Sequence, residues 1–207
     1  MDIQSIENDI YYTIAKKERT EIKIKGSRFI ATASYAETKE KALEFLEQMR
    51  SEFFDATHNC FAWRIGHDGM QFRAGDDGEP SGSAGKPILF SINKYNVSDI
   101  VIVVTRYFGG TKLGVGGLAR AYSDAAKEVL ALCEAKPVHI TVPIAVFCTY
   151  QDISVIKRLV GEFAISYEEL YHDSIEITAN IPKSRADEFV SQVNKMTNAR
   201  AGCRRLG

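Results

Sequence analysis

Between positions 99 and 108 the chain reads DIVIVVTRYF, and residues 100–104 form an unbroken run of β-branched apolar side chains. A strand of that kind has no face to offer water, so it must lie centrally in a sheet that is covered on both sides. The remaining sequence has to supply neighbouring strands and covering helices. EIKIKG and SRFIATASYA alternate apolar with polar residues, the period of half-buried strands. In THNCFAWRIG a strand puts Phe61, Trp63 and Ile65 on one face and His58, Cys60, Ala62 and Arg64 on the other. MQFRA reads as its hairpin partner across GHDG.

Helices fall between these strands. Thr38 is a cap for a helix in which Ala42, Leu43, Leu46, Met49 and Phe53 recur at three- and four-residue steps. ILFSINKYN reads as a short helix. Leu118, Tyr122, Ala125, Val129 and Leu132 mark a third, predicted to run to near Lys136 with Pro137 as its stop. Beyond it VHITVPIAVF reads as a strand, and DISVIKRLVGEF as a helix capped by Asp152. Two strands follow around a turn at His172 and Asp173. KSRADEFVSQVNKM is a helix with Ala186, Phe189, Val190, Val193 and Met196 inward, and the tail supplies a last strand. The order βαββαβ is that of a ferredoxin-like unit. The expectation is an α+β protein of two domains, residues 1–136 and 137–207, with no repeat and no low-complexity tract.

A chain of 207 residues can bury roughly 70–75% of its unfolded surface. Its 26 basic and 27 acidic residues leave a net charge of −1, so any affinity for anions must be local. Cys60, Cys133, Cys148 and Cys203 form no CxxC pair and read as small apolar groups in a reducing compartment. The start, MDIQSIENDI, lacks the apolar core of a leader, and no run is long enough to span a bilayer. A cytoplasmic protein without membrane contact is expected.

Eleven of the fifteen glycines lie between positions 66 and 117. One stretch that carries them, RYFGGTKLGVGGLARAYSDAA, leaves the central strand and opens a helix. Gly109, Gly110, Gly114, Gly116 and Gly117 bare the backbone there, and free amides at a helix start attract anions. Arg106, Lys112 and Arg120 are the charged residues of this stretch up to Ser123, with no acid among them. Tyr107, Phe108 and Tyr122 lie between them, a combination suited to stacking on bases and pairing with phosphates. Arg64 and Lys86 are further candidates. A tight crossover whose glycines only let the helix pack remains the alternative.

Named nucleotide motifs fail. The GK at 85–86 has Pro80 where a Walker loop needs glycine, and Pro87 where it needs Ser or Thr. GVGGLA lies several residues past its strand, with no following parallel strand that ends in an acid. The second glycine-bearing stretch, DDGEPSGSAGKP, offers Asp76, Asp77 and Glu79. Their spacing matches no EF-hand and the ligand set is incomplete, so no metal is expected. The acids are expected to orient cations, Arg106 among them, with the loop packed on the glycine-rich crossover. His58 and Cys60 stand two residues apart on a strand, about 7 Å, too far for a thiol–imidazole pair, so both are read as structural.

ATHNCFAWRIG, DDGEPSGSAGKPIL and VVTRYFGGTKLGVGGLARAYSDA, in that order, resemble the signature blocks of the IMPACT family, the YigZ-like proteins. Ser83 stands where threonine is usual and keeps the hydroxyl. The resemblance implies a first domain like domain IV of elongation factor G, with a left-handed βαβ crossover, and a ferredoxin-like second domain like that factor's last. Eukaryotic members restrain a starvation-sensing kinase through an added N-terminal domain. That role is not expected here, where the signature region begins near Glu21. The basic, aromatic and glycine-rich stretch, joined to this resemblance, leads to the expectation of a non-enzymatic protein that binds RNA or the ribosome and modulates translation, with a translation-factor protein as a further partner and no cofactor. The alternatives are an enzyme that binds nucleotide and metal at the glycine-rich loop, as small-molecule kinases of related architecture do, and a protein-interaction module acting through the acidic loop.

Overall fold

The computed structural model describes residues 9–171 and 174–206. Most of MDIQSIENDI, and the expected turn at His172 and Asp173, lie outside the described residues. One compact unit is Tyr11–Pro137; the other comprises residues from Val138 onward together with Asp9 and Ile10. Mixed helix and strand in two units make the protein α+β. None of the described helices is long and apolar enough to cross a membrane.

The first unit is built on a sheet of β2 (Glu18–Ile24), β3 (Ser27–Tyr35), β4 (His58–Ile65), β5 (Gln71–Gly75) and β6 (Ile100–Tyr107). Their order is β2-β3-β6-β4-β5, and every neighbouring pair is antiparallel. The apolar run therefore occupies the middle strand. Val101 and Val103 pack with Phe61 and Trp63 under helix α1 (Lys39–Glu52), through Phe45, Leu46 and Met49. Ile100, Ile102 and Val104 face the other way, into a core shared with helices α2 (Gly85–Tyr95) and α3 (Gly114–Leu132). Each such side chain contributes roughly 1.5–3 kcal/mol by leaving water. Thr38 caps α1, its hydroxyl accepting from the Lys41 amide at 3.2 Å.

Two strands went unread in the sequence. Ile10–Ile14 (β1) and Ala135–His139 (β7) pair as a two-stranded sheet. The third helix accordingly ends at Leu132, not near Lys136, because residues 135–139 find ladder partners that outweigh their helical propensity. Pro137 sits inside a strand of this small sheet, a place where a residue without an amide donor is tolerated. VHITVPIAVF is correspondingly divided, with Ile140 between β7 and the next strand.

The second unit follows the expected βαββαβ order. Its elements are β8 (Thr141–Cys148), α4 (Ile153–Phe163), β9 (Ser166–Tyr171), β10 (Ile175–Pro182), α5 (Ala186–Thr197) and β11 (Gly202–Arg205). The strand order β11-β8-β10-β9 puts its fourth strand beside its first and its third beside its second. Ile175, Ile177, Ala179 and Ile181 alternate inward from β10 to meet Phe163, Phe189 and Val193. Met196, predicted inward, is instead exposed near the end of α5. Asp152 occupies the cap position of α4 but makes no capping bond; its carboxylate accepts a fork from Arg200 at 2.6 and 3.1 Å.

Candidate functional site

The acidic loop runs from the end of β5 to the start of α2, and none of its three carboxylates is idle. Asp76 reaches forward to accept from the amides of Gly82, Ala84 and Gly85 at 2.8, 3.0 and 2.8 Å. It thereby satisfies the start of α2, whose own cap residue, Ala84, has no side chain that could. Partial burial works to raise the Asp76 pKa, but the three amides outweigh it and hold the carboxyl below its ordinary value. Asp77 accepts from Arg50 of α1 at 2.8 Å and from the Asn59 amide at 2.7 Å. Among the described residues no three His, Cys, Asp or Glu side chains gather as a metal would need.

Glu79 turns inward. Its Oε1 accepts from Arg106 Nη1 at 2.5 Å and from the Tyr122 hydroxyl at 2.8 Å, with His58 Nε2 3.9 Å away. Arg106 is only 5% exposed and Glu79 8%. Arg106 also donates to Ser27 Oγ at 3.3 Å and lies over the rings of Phe29 and Phe108. Its Nε is enclosed without a partner among the described residues. Cys60 Sγ lies 3.3 Å from the Tyr122 oxygen, and burial pushes its thiol pKa far above the usual value. The acidic loop is thus bonded into the sheet and α3 through one buried polar chain.

The glycine-rich crossover from β6 to α3 shows why its glycines differ. Gly109 packs backbone to backbone on Gly26: a Cβ there would lie 1.9 Å from the Gly26 carbonyl carbon. Gly110 and Gly114 take φ of +84° and +71°, left-handed values that favour glycine. Gly116 has open space where a side chain would be, and Gly117 meets only the Leu113 side chain. The first turn of α3 has no side-chain cap and no acid. Gly114, Val115 and Gly116 are exposed there, beside an exposed Lys112 that has no partner among the described residues.

Two hollows flank this helix. A cavity of about 270 Å³ is lined by Glu79, Pro80, Arg106, Phe108, Lys112 and Val115 among others. A more open groove of about 510 Å³ lies between α2 and α3, with Lys86, Phe90, Arg120 and Lys127 on its walls. Lys86 and Arg120 are exposed and make no hydrogen bond or ion pair among the described residues, although Lys86 lies near enough to Asp76 to help lower its pKa; Lys127 pairs with Asp124 at 3.1 Å. The helical rise sets Arg120 about 9 Å along the axis from Gly114.

Lys86, Lys112 and Arg120 therefore share the α2–α3 side of the sheet with the glycine turn. Arg106 shares the cavity but is a buried ion-pair partner, not an outward cation. Tyr107 holds Asp55 by its hydroxyl at 2.7 Å and lies under Arg28. Tyr122, read as one of the rings among the cations, is fully buried. Arg64 stands apart. It pairs with Ile100 in the register while His58 pairs with Arg106, so it lies six residues, about 20 Å, towards the other end of β6. There it donates to the Val97 carbonyl at 3.1 Å. Phe90, unremarked in the sequence, is 66% exposed on the groove wall. Ile88 and Ile92, buried four residues apart, could have revealed it by leaving position 90 on the opposite face.

Comparison with known proteins agrees with the signature blocks. Residues 25–130 match the family model for the Impact N-terminal domain. The chain is 35% identical over 195 residues to the IMPACT family member YvyE of Bacillus subtilis, covering 92% of this chain and 88% of that protein. It is 38% identical over 141 residues to the IMPACT family member YigZ of Escherichia coli, covering 67% of this chain and 69% of that one. A crystal structure described as that of a hypothetical protein superposes with a TM-score of 0.72 at 29% identity, covering 96% of this chain and 98% of its own. The chain belongs to the IMPACT family.

Proposed function

We propose that this protein is a non-enzymatic RNA- or ribosome-binding factor that modulates translation. The observation that carries the reading is the start of α3. An uncapped helix end with exposed glycine backbone has Lys112 before it and Arg120 beside it, neither with a partner among the described residues, and exposed Lys86 beside them, on a molecule of net charge −1. Helix-end amides and three exposed cations favour a polyanion at this place over any other the sequence singled out. Exposed Phe90 and Phe108 add rings on which unpaired bases can stack. Translation is the setting because the family resemblance implies domains like those of elongation factor G.

The test is salt-dependent binding to single-stranded RNA and co-sedimentation with ribosomes. The comparison is between the parent and a triple variant carrying Lys86→Ala, Lys112→Ala and Arg120→Ala. Arg106 is left intact because its removal would strand Glu79. The variant is expected to bind at least tenfold more weakly at low salt, and its plot of log affinity against log salt should be shallower by about 2. Equal affinity and equal slope would remove the proposal.

A further inference from the structure

The cavity at the start of α3 has a chemistry that backbone phosphates alone do not use. Glu79 and Arg106 both line it, each more than nine-tenths buried. Every bond that Glu79 accepts goes to Oε1; its second oxygen, Oε2, has no partner among the described residues. That oxygen is not sealed off, so a donor from a ligand can reach it in place of water. Phe108 forms part of the wall, 48% exposed and already beneath a cation. The opening is edged by Lys112 and the bare first turn of α3.

We infer that this cavity receives a single unpaired nucleotide of an RNA strand, its base inward with N–H donors on Glu79 and its phosphate outward on Lys112 and the α3 amides. The inference rests on the RNA reading above and adds to it a site that distinguishes bases. The orientation follows from charge. Glu79 inside repels a phosphate or carboxylate head, whereas the helix end and Lys112 outside attract one. At about 270 Å³ the space suits one base and falls short of the usual range for larger ligands. Unpaired bases are bound in this manner elsewhere, stacked on an aromatic ring and hydrogen-bonded along their Watson–Crick edge. Guanine fits best, because its imino and amino donors lie side by side towards the carboxylate, whereas uracil's one imino donor is flanked by carbonyl oxygens that the carboxylate repels.

The experiment uses the full chain and two fluorescently labelled decamers, ten uridines and the same strand with one central guanosine, by anisotropy at low salt. The guanosine strand is expected to bind about tenfold more tightly. Val115 is 59% exposed at the cavity wall, so Val115→Trp can fill the space without disturbing the core. This variant should lose the guanosine preference yet retain uridine binding within about threefold. Equal binding of both strands by the parent, or a preference that survives Val115→Trp, overturns the inference and leaves the RNA reading standing. Failure of the parent to bind either strand overturns both.

Discussion

The Glu79 carboxylate and the Arg106 guanidinium meet at 2.5 Å with their side chains 3% and 6% exposed. They bind the acidic loop to the central strand. Removing one partner strands the other, at about 3–5 kcal/mol. Arg106→Met and Glu79→Gln should each lower the urea midpoint strongly, and the double variant should lose less than the sum of the two. Chemical denaturation of the four proteins measures that coupling.

Asp76 should show in the acid limb of stability. Its carboxyl titrates below its ordinary value in the folded protein. Its contribution is therefore present above the unfolded pKa, near 3.9, and is lost as pH falls through the lower folded value. Asp76→Ala should cost about 0.5–2 kcal/mol at neutral pH, as loss of a helix cap does. The parent's advantage over this variant should shrink below about pH 4, and thermal melts across pH 3–7 follow it.

Two glycines of the crossover, Gly109 before α3 and Gly116 within it, should respond oppositely. Gly109→Ala forces a Cβ to within 1.9 Å of the Gly26 backbone and should destabilise by about 1–3 kcal/mol. Gly116→Ala enters open space within α3 and should stabilise by up to about 1 kcal/mol. If Gly116 serves ligand approach, the same variant binds RNA more weakly although it melts higher. Calorimetry paired with anisotropy separates the two effects.

Cys60 should be chemically silent. Burial raises its thiol pKa far beyond the usual range, and the side chain is wholly enclosed. Burial also raises the Cys133 pKa, to about 11. At pH 8 an aromatic disulfide reagent should leave Cys60 unmodified in the native protein and titrate all four thiols in urea. Peptide mapping identifies which thiols react first.

Much of the first unit was legible because burial on two faces leaves a plain signature. The central strand, the division of Phe61, Trp63 and Ile65 from Cys60 and Ala62, and the Thr38 cap all follow from residue type and spacing. The small β1–β7 sheet was hidden. Its strands lie more than a hundred residues apart, and AKPVH shows no apolar alternation. Helix-forming Glu134, Ala135 and Lys136 obscured it further.

At the candidate site, composition marked the place but not the depth. Clustering of Arg106, Lys112 and Arg120 in sequence said nothing of which would be buried. That depends on Glu79 arriving from another loop. Tyr122 looked like a stacking ring because it stands among cations, yet α3 turns it into the core beneath Phe29. Arg64 was drawn in by charge alone, and strand register carries it away.

Asp76 and Asp77 are neighbours in the chain, yet one holds the first turn of α2 and the other grips Arg50 of α1, on opposite faces of the sheet. The loop therefore works as a rivet through the sheet's edge. Loss of both carboxylates would loosen the two helical layers together, so Asp76→Ala combined with Asp77→Ala should lower the melting point of the whole unit and not fray one turn.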